Sequence, residues 1–167
     1  MSGLPVGDGE LVTFDTGGGS TEFVYGKGAS MLRKFSVTLG AVRITEEFFR
    51  EDPVLPGAVD RASAEIVKSL KEGGVSGRTD FLVGMGGTVT SLASVKFKMA
   101  VYDPDIVQGS TLTLDEINAQ IADYAGKTLE QRRAIVGLQP KRADVILAGA
   151  CIVRAICELL GVASFTV

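Results

Sequence analysis

Hydrophobic and polar positions change their period several times along the chain. From Glu10 the run Glu-Leu-Val-Thr-Phe-Asp is apolar and β-branched enough for a buried strand that ends at Asp15. Residues 21–26, Thr-Glu-Phe-Val-Tyr-Gly, predict a second strand, and Gly26 to Gly28 a tight turn. Residues 29–37 predict a third strand with Met31, Arg33, Phe35 and Val37 on one face. Two short connections in succession give an antiparallel meander. Past Gly40, Ala41, Val42, Ile44, Phe48 and Phe49 fall at helical spacing, and Asp52-Pro53 ends the helix because a residue before proline leaves the α region. A second helix is expected from about Gly57 to Lys71, with Ala62, Ile66, Val67 and Leu70 inward and Gly73-Gly74 as its stop.

The second half opens with a short apolar strand (Phe81, Leu82, Val83), a glycine turn and a helix, an order that suits a phosphate or nucleotide loop. Residues 96–139 read as a helical insertion packed on one end of the domain. It holds a loop at 103–105, a hairpin around Gln108-Gly109 and helices near Leu114–Ala125 and Leu129–Val136. Pro140 sits in the first turn of the next helix, which is apolar on nearly all sides between Val145 and Val153 and is capped by Gly161. A last strand, residues 163–167, runs to the final residue. The order β-β-β-α, β-α, insertion, α-β predicts one α/β domain over residues 1–167, with a core of 10–95 and 140–167. Its sheet is expected to be mixed and five-stranded, with helices on both faces. A chain that stops in mid-strand and starts MSGLPVGDG just ahead of another reads as an excised fragment.

Composition narrows the chemistry. The 167 residues include no histidine and no tryptophan, two cysteines, 21 glycines, and 17 Lys+Arg against 20 Asp+Glu for a net charge of −3. Without histidine there is no Ser-His-Asp triad, no Cys-His pair and no HExxH zinc site, so chemistry here rests on carboxylates, hydroxyls, amines and backbone amides. Two cysteines cannot build a Cys₄ cage, which leaves hard cations bound by oxygen, magnesium first. Cys151 and Cys157 lie six apart in a helical segment, about 9 Å along the axis and on different faces, which does not suit a disulfide. The N-terminus lacks the basic and apolar regions of a signal peptide, and no apolar stretch approaches the ~20 residues of a membrane span. A soluble, cytoplasmic chain is expected, with no membrane partner. Its slight acidity argues against duplex nucleic acid as well.

Two glycine turns carry the candidate chemistry. In Asp15-Thr16-Gly17-Gly18-Gly19-Ser20-Thr21-Glu22 an acid ends a buried strand and three glycines and a hydroxyl follow, so backbone amides can approach an anion unobstructed. Asp15 can hold Mg²⁺ or its water shell, and Glu22 can reach back to the same place. A plain hairpin with Asp15 capping the turn is the bland alternative, although three adjacent glycines cost backbone entropy that it would avoid. Gly84-Met85-Gly86-Gly87-Thr88 would set amides at a helix N-terminus, with Thr88 and Thr90 adding hydroxyls; close helix–strand packing explains the glycines equally. Arg33, Lys34, Lys141 and Arg142 are cationic candidates that solvation alone also explains. Asp103-Pro104-Asp105 reads as turn chemistry.

FDTGGGSTEFVYG resembles the D-I-G-G-G-S-T-E signature of the exopolyphosphatase and guanosine pentaphosphate phosphatase (Ppx/GppA) family, and GMGGTVTSLASV resembles its later G-G-T-x-T-x-L-A segment. LGAVRITEEFF and KRADVILAGACIVRAICELLG also look like the stretches that follow each motif. Thr16 stands where the family often has an aliphatic residue. The resemblance implies the actin-like ATPase (ribonuclease H-like) fold and a chain equivalent to the family's second domain, with Mg²⁺ and phosphates held in a cleft against a first domain that has no counterpart here. It further implies metal-side and water-positioning roles for Asp15 and Glu22, a cradle of Gly17, Gly18, Gly19 and Ser20 for the scissile phosphate, and support of a neighbouring phosphate by Gly86, Gly87 and Thr88. The implied substrates are polyphosphate or guanosine penta- and tetraphosphate, and a homodimer counts among the partners it admits. The general base belongs to the first domain, so the chain alone is expected to turn over little. A pppGpp 5′-phosphatase, a non-catalytic polyphosphate or nucleotide sensor, and an ATPase or kinase of the same fold are the alternatives.

Overall fold

A computed structural model describes residues 9–167; all but the last residue of the opening MSGLPVGDG stretch lies outside them. The expected meander forms as β1 (Glu10–Thr16), β2 (Thr21–Lys27) and β3 (Ser30–Val37), followed by α1 (Ala41–Phe48) and α2 (Ala58–Glu72). Next come β4 (Phe81–Met85), α3 (Gly86–Lys96), α4 (Pro104–Val107), β5 (Thr111–Thr113), α5 (Leu114–Ala125), α6 (Leu129–Arg133), α7 (Ile146–Leu160) and β6 (Ser164–Thr166). None of the described helices is long and apolar enough to cross a membrane.

The sheet has six strands in the order β3-β2-β1-β4-β6-β5, not five. The extra strand comes from the segment read as an insertion. No hairpin forms at Gln108-Gly109; instead Gly109 donates to the Val167 carbonyl at 2.8 Å, and Leu112 pairs antiparallel with Phe165. Three residues with one buried leucine carry too little alternation to be read as a strand before the partner is known. The β1/β4 and β4/β6 pairs are parallel, so both long connections are crossovers. Each advances the same way across the sheet, and right-handed crossovers advancing one way deliver their helices to one face. The helices accordingly gather over Val12, Phe14, Phe23, Leu82 and Phe165, amending the expectation of helices on both faces. A register shift at Tyr25/Gly26 sets Met31 opposite Gly26 and Arg33 opposite Tyr25, so Met31 does not share a face with Arg33, Phe35 and Val37. The Arg33 guanidinium lies 4.4 Å and 4.5 Å from the Tyr25 and Phe35 ring centres.

α7 is the hub. It packs against α1, α2, α3 and α5 and buries twelve of its fifteen residues, which is why it reads as apolar on nearly all sides. It starts later than expected: Pro140–Arg142 form a 3-10 turn, and the α-helix proper begins at Ile146. α6 likewise stops at Arg133 rather than Val136. Cys151 and Cys157 are buried and unpaired, and burial pushes both thiols up to about 12. α5 opens with a Thr113/Glu116 capping box; its Tyr124 hydroxyl donates to Gln120, whose amide donates to the Leu92 carbonyl of α3.

Candidate functional site

The carboxyl ends of β1 and β4 open onto the glycine turns. The β1–β2 ladder pairs Asp15 directly with Glu22, and the β2–β3 ladder pairs Glu22 with Ser36, so the three form one row across the face opposite the helices. Two carboxylates directly opposite one another repel, and the register that holds them there is fixed by burial on the other face, where Phe14 and Phe23, the next pair along, are fully buried. Glu22 Oε1 accepts from Ser20 Oγ at 2.5 Å and from Ser36 Oγ at 3.0 Å. The Asp15 carboxylate has no hydrogen-bond or ion-pair partner among the described residues. Nothing in the sequence pattern marked Ser36, because its place beside Glu22 depends on strand register.

The loop between the strands is held from behind. Gly17 N–H donates to the Ser20 carbonyl at 2.9 Å, while the carbonyls of Gly17 and Gly18 accept from the first amides of α1, Ala41 and Val42, each at 3.0 Å. With its carbonyls turned back to the helix, the loop leaves the N–H groups of Gly18, Gly19 and Ser20 without an acceptor among the described residues. None of the three glycines has positive φ. A Cβ on Gly19 would meet nothing within 4 Å, and one on Gly17 only the Ser20 carbonyl at 3.5 Å. The chain's own packing therefore does not require glycine at 19, and bare amides facing open space suit the close approach of an anion. Gly40 is different: a Cβ there would overlap the Gly18 carbonyl and the Gly19 nitrogen. A glycine between a strand and a helix start is a sequence signal of such close backbone approach.

The second turn divides its residues between packing and site. β4 runs into α3 with no loop between them. Gly84 belongs to the packing, since a Cβ would strike Phe165, Phe14 and Val89 at 2.7–2.9 Å. Gly86, at φ 85°, lies against the Asp15 carboxylate, and Gly87 lies beneath the Arg142 guanidinium; a side chain at either would overlap those groups. Thr88 is buried and its hydroxyl donates to the Thr16 carbonyl at 3.1 Å, so it straps α3 to β1 instead of offering a hydroxyl to phosphate. Thr90 and Ser91 likewise bond back to the carbonyls of Gly86 and Gly87, at 3.1 Å and 2.6 Å.

Of the cationic candidates, Arg142 alone reaches the turn. Its guanidinium has no partner among the described residues and lines a cavity of about 420 Å³ with Thr90, Ser94, Tyr102 and Gln139. Lys34 lies on the Glu22 face but two pairs further along, opposite Val24, and Lys141 is exposed. Asp103 caps α4 by accepting from Asp105 N–H at 2.9 Å, the expected turn chemistry. Among the described residues no three His, Cys, Asp or Glu side chains converge as a metal cage. The donor set of Asp15 and Glu22 still fits Mg²⁺, which keeps several waters and takes one or two carboxylates together with substrate phosphate. A divalent cation would also relieve the repulsion in that pair.

The sequence profile of the Ppx/GppA phosphatase family matches residues 1–167. The bifunctional 3-dehydroquinate synthase/phosphatase of Fusobacterium nucleatum is 37% identical over 155 residues, covering 90% of this chain and 23% of that protein. Exopolyphosphatase 2 of Mycobacterium tuberculosis is 31% identical over 164 residues, covering 94% of this chain and 51% of that protein. The solved structure of the Aquifex aeolicus PPX-GPPA enzyme superposes with a TM-score of 0.89 at 34% identity, over 95% of this chain and 53% of that one. This chain thus spans about a quarter of the first of these proteins and about half of the other two. With two glycine turns and an acidic pair set at the strand ends of the same fold, the chain belongs to the Ppx/GppA phosphatase family.

Proposed function

We propose that this chain is the second, phosphate-binding domain of a longer cytoplasmic exopolyphosphatase that releases terminal phosphate from inorganic polyphosphate with Mg²⁺. The observation that carries the reading is the cross-strand pair Asp15–Glu22 beside a loop whose Gly18, Gly19 and Ser20 amides have no acceptor among the described residues. Open amides stabilise the charge that develops on phosphoryl oxygens during in-line attack by water. Asp15 takes the metal side, Glu22 holds the attacking water, and Arg142 with the amides of Gly86 and Gly87 accepts the next phosphate along the chain. Mg²⁺, when bound, supplies charge neutralisation between carboxylate and phosphate. The general base and the opposing wall of the cleft come from the first domain, so the 167-residue chain by itself turns over little. Two buried, unpaired cysteines fit a reducing compartment.

Phosphate release by the full-length protein tests the assignment. Asp15→Asn and Glu22→Gln should each lower kcat by about 10²-fold or more, as loss of a preorganised charge-stabilising group does. Wild-type rates would overturn both roles. A second reading, a guanosine pentaphosphate 5′-phosphatase, is favoured by the cavity beside Arg142, whose Tyr102 and Gln139 suit a nucleoside better than a polyanion. Competing polyphosphate against pppGpp separates the two.

A further inference from the structure

We infer that Ser36 is a positioning residue that holds the Glu22 carboxylate in its working orientation throughout the reaction. The inference rests on the proposed role of Glu22. Glutamate on a solvent-facing strand has three free side-chain torsions and keeps no single geometry without partners. Here two hydroxyls converge on one oxygen, Oε1: Ser20 at 2.5 Å and Ser36 at 3.0 Å. No donor among the described residues is paired with Oε2. The two serines are not equivalent. Ser20 ends the glycine loop, and its single proton is the one expected to turn to a phosphate oxygen; a hydroxyl has one proton to give. Once it is given to phosphate, Ser36 alone still donates to Glu22. Ser36 is fixed for this by pairing directly with Glu22 in the ladder, and the next pair towards the loop, Thr21–Val37, is buried on the other face and locks the register. Ser36 lies one strand away from the phosphate loop, so it acts through Glu22.

The test is steady-state phosphate release by the full-length protein carrying Ser36→Ala, Ser36→Thr, Glu22→Ala and the Ser36→Ala/Glu22→Ala pair. Ser36→Ala should lower kcat about 10- to 100-fold, the size of a lost charge-assisted hydrogen bond, with KM changed less than about threefold. Ser36→Thr, which keeps the hydroxyl and suits a strand, should restore most of the rate. The thermal midpoint should stay within a degree or two, because the side chain is exposed. In the Glu22→Ala background the Ser36→Ala change should cost nothing further. Wild-type kcat in Ser36→Ala, or the same loss with and without Glu22, overturns the inference while leaving the role of Glu22 intact. Wild-type kcat in Glu22→Ala would instead remove the reading on which it rests.

Discussion

Replacing Gly19 by alanine separates what the fold needs from what a ligand needs. Gly19 lacks positive φ, and an added Cβ meets nothing within 4 Å. The folded chain therefore accepts the methyl without strain, while the unfolded chain loses conformational freedom, an effect worth about 0.4–1 kcal/mol in favour of the native state. For a domain of this size each kcal/mol moves the midpoint by roughly 2–4 °C, so Gly19→Ala should melt about 1–4 °C higher than wild type. Activity should move the other way. The methyl stands beside an amide that has no acceptor among the described residues and blocks its approach to a phosphoryl oxygen; losing one such donor costs roughly 10²–10³ in kcat. Differential scanning calorimetry on the 167-residue chain and phosphate release by the full-length protein measure the two quantities. A variant that melts lower, or one that melts higher with undiminished turnover, refutes the claim that glycine at 19 serves the ligand alone.

Gly40→Ala should behave in the opposite manner. Its Cβ would overlap backbone atoms of Gly18 and Gly19, which cannot rotate away, so stability should fall by about 1–3 kcal/mol and turnover should fall with it. Retention of wild-type stability in calorimetry would refute the close approach of α1 to the loop. Cys151 and Cys157 are fully buried with thiols pushed up to about 12, so both should be neutral at pH 8 and inert to a thiol reagent until denaturant is added. Labelling of either cysteine in the native protein within minutes would show that α7 is less enclosed than described.

The strands of the meander, α2 and α5 were legible from their hydrophobic period, and α2 also from its stop signal, Gly73-Gly74. β5 was not, since Thr-Leu-Thr becomes a strand only through β6, more than fifty residues away. The start of α7 was misplaced because Pro140 is a good first-turn residue in a 3-10 turn as well as in an α-helix. In the site, Asp15, Glu22 and the glycine run could be read from local pattern, and cross-strand pairing brings them together. Thr88 could not be read correctly: its hydroxyl looks available in a sequence and is spent on Thr16 in the fold. Ser36 could not be read for a related reason, its significance lying wholly in what stands opposite it.

The ladder that pairs Asp15 with Glu22 also pairs Phe14 with Phe23, and in a strand odd and even positions exchange faces when the register moves by one. Core and chemistry are therefore two readings of a single parity. A slip that turned the acids inward would bring two phenylalanines out into water, at a cost of a few kcal/mol for each ring, before any change in reaction rate could be felt. Packing of the two rings on one face holds positions 15 and 22 opposite each other on the other.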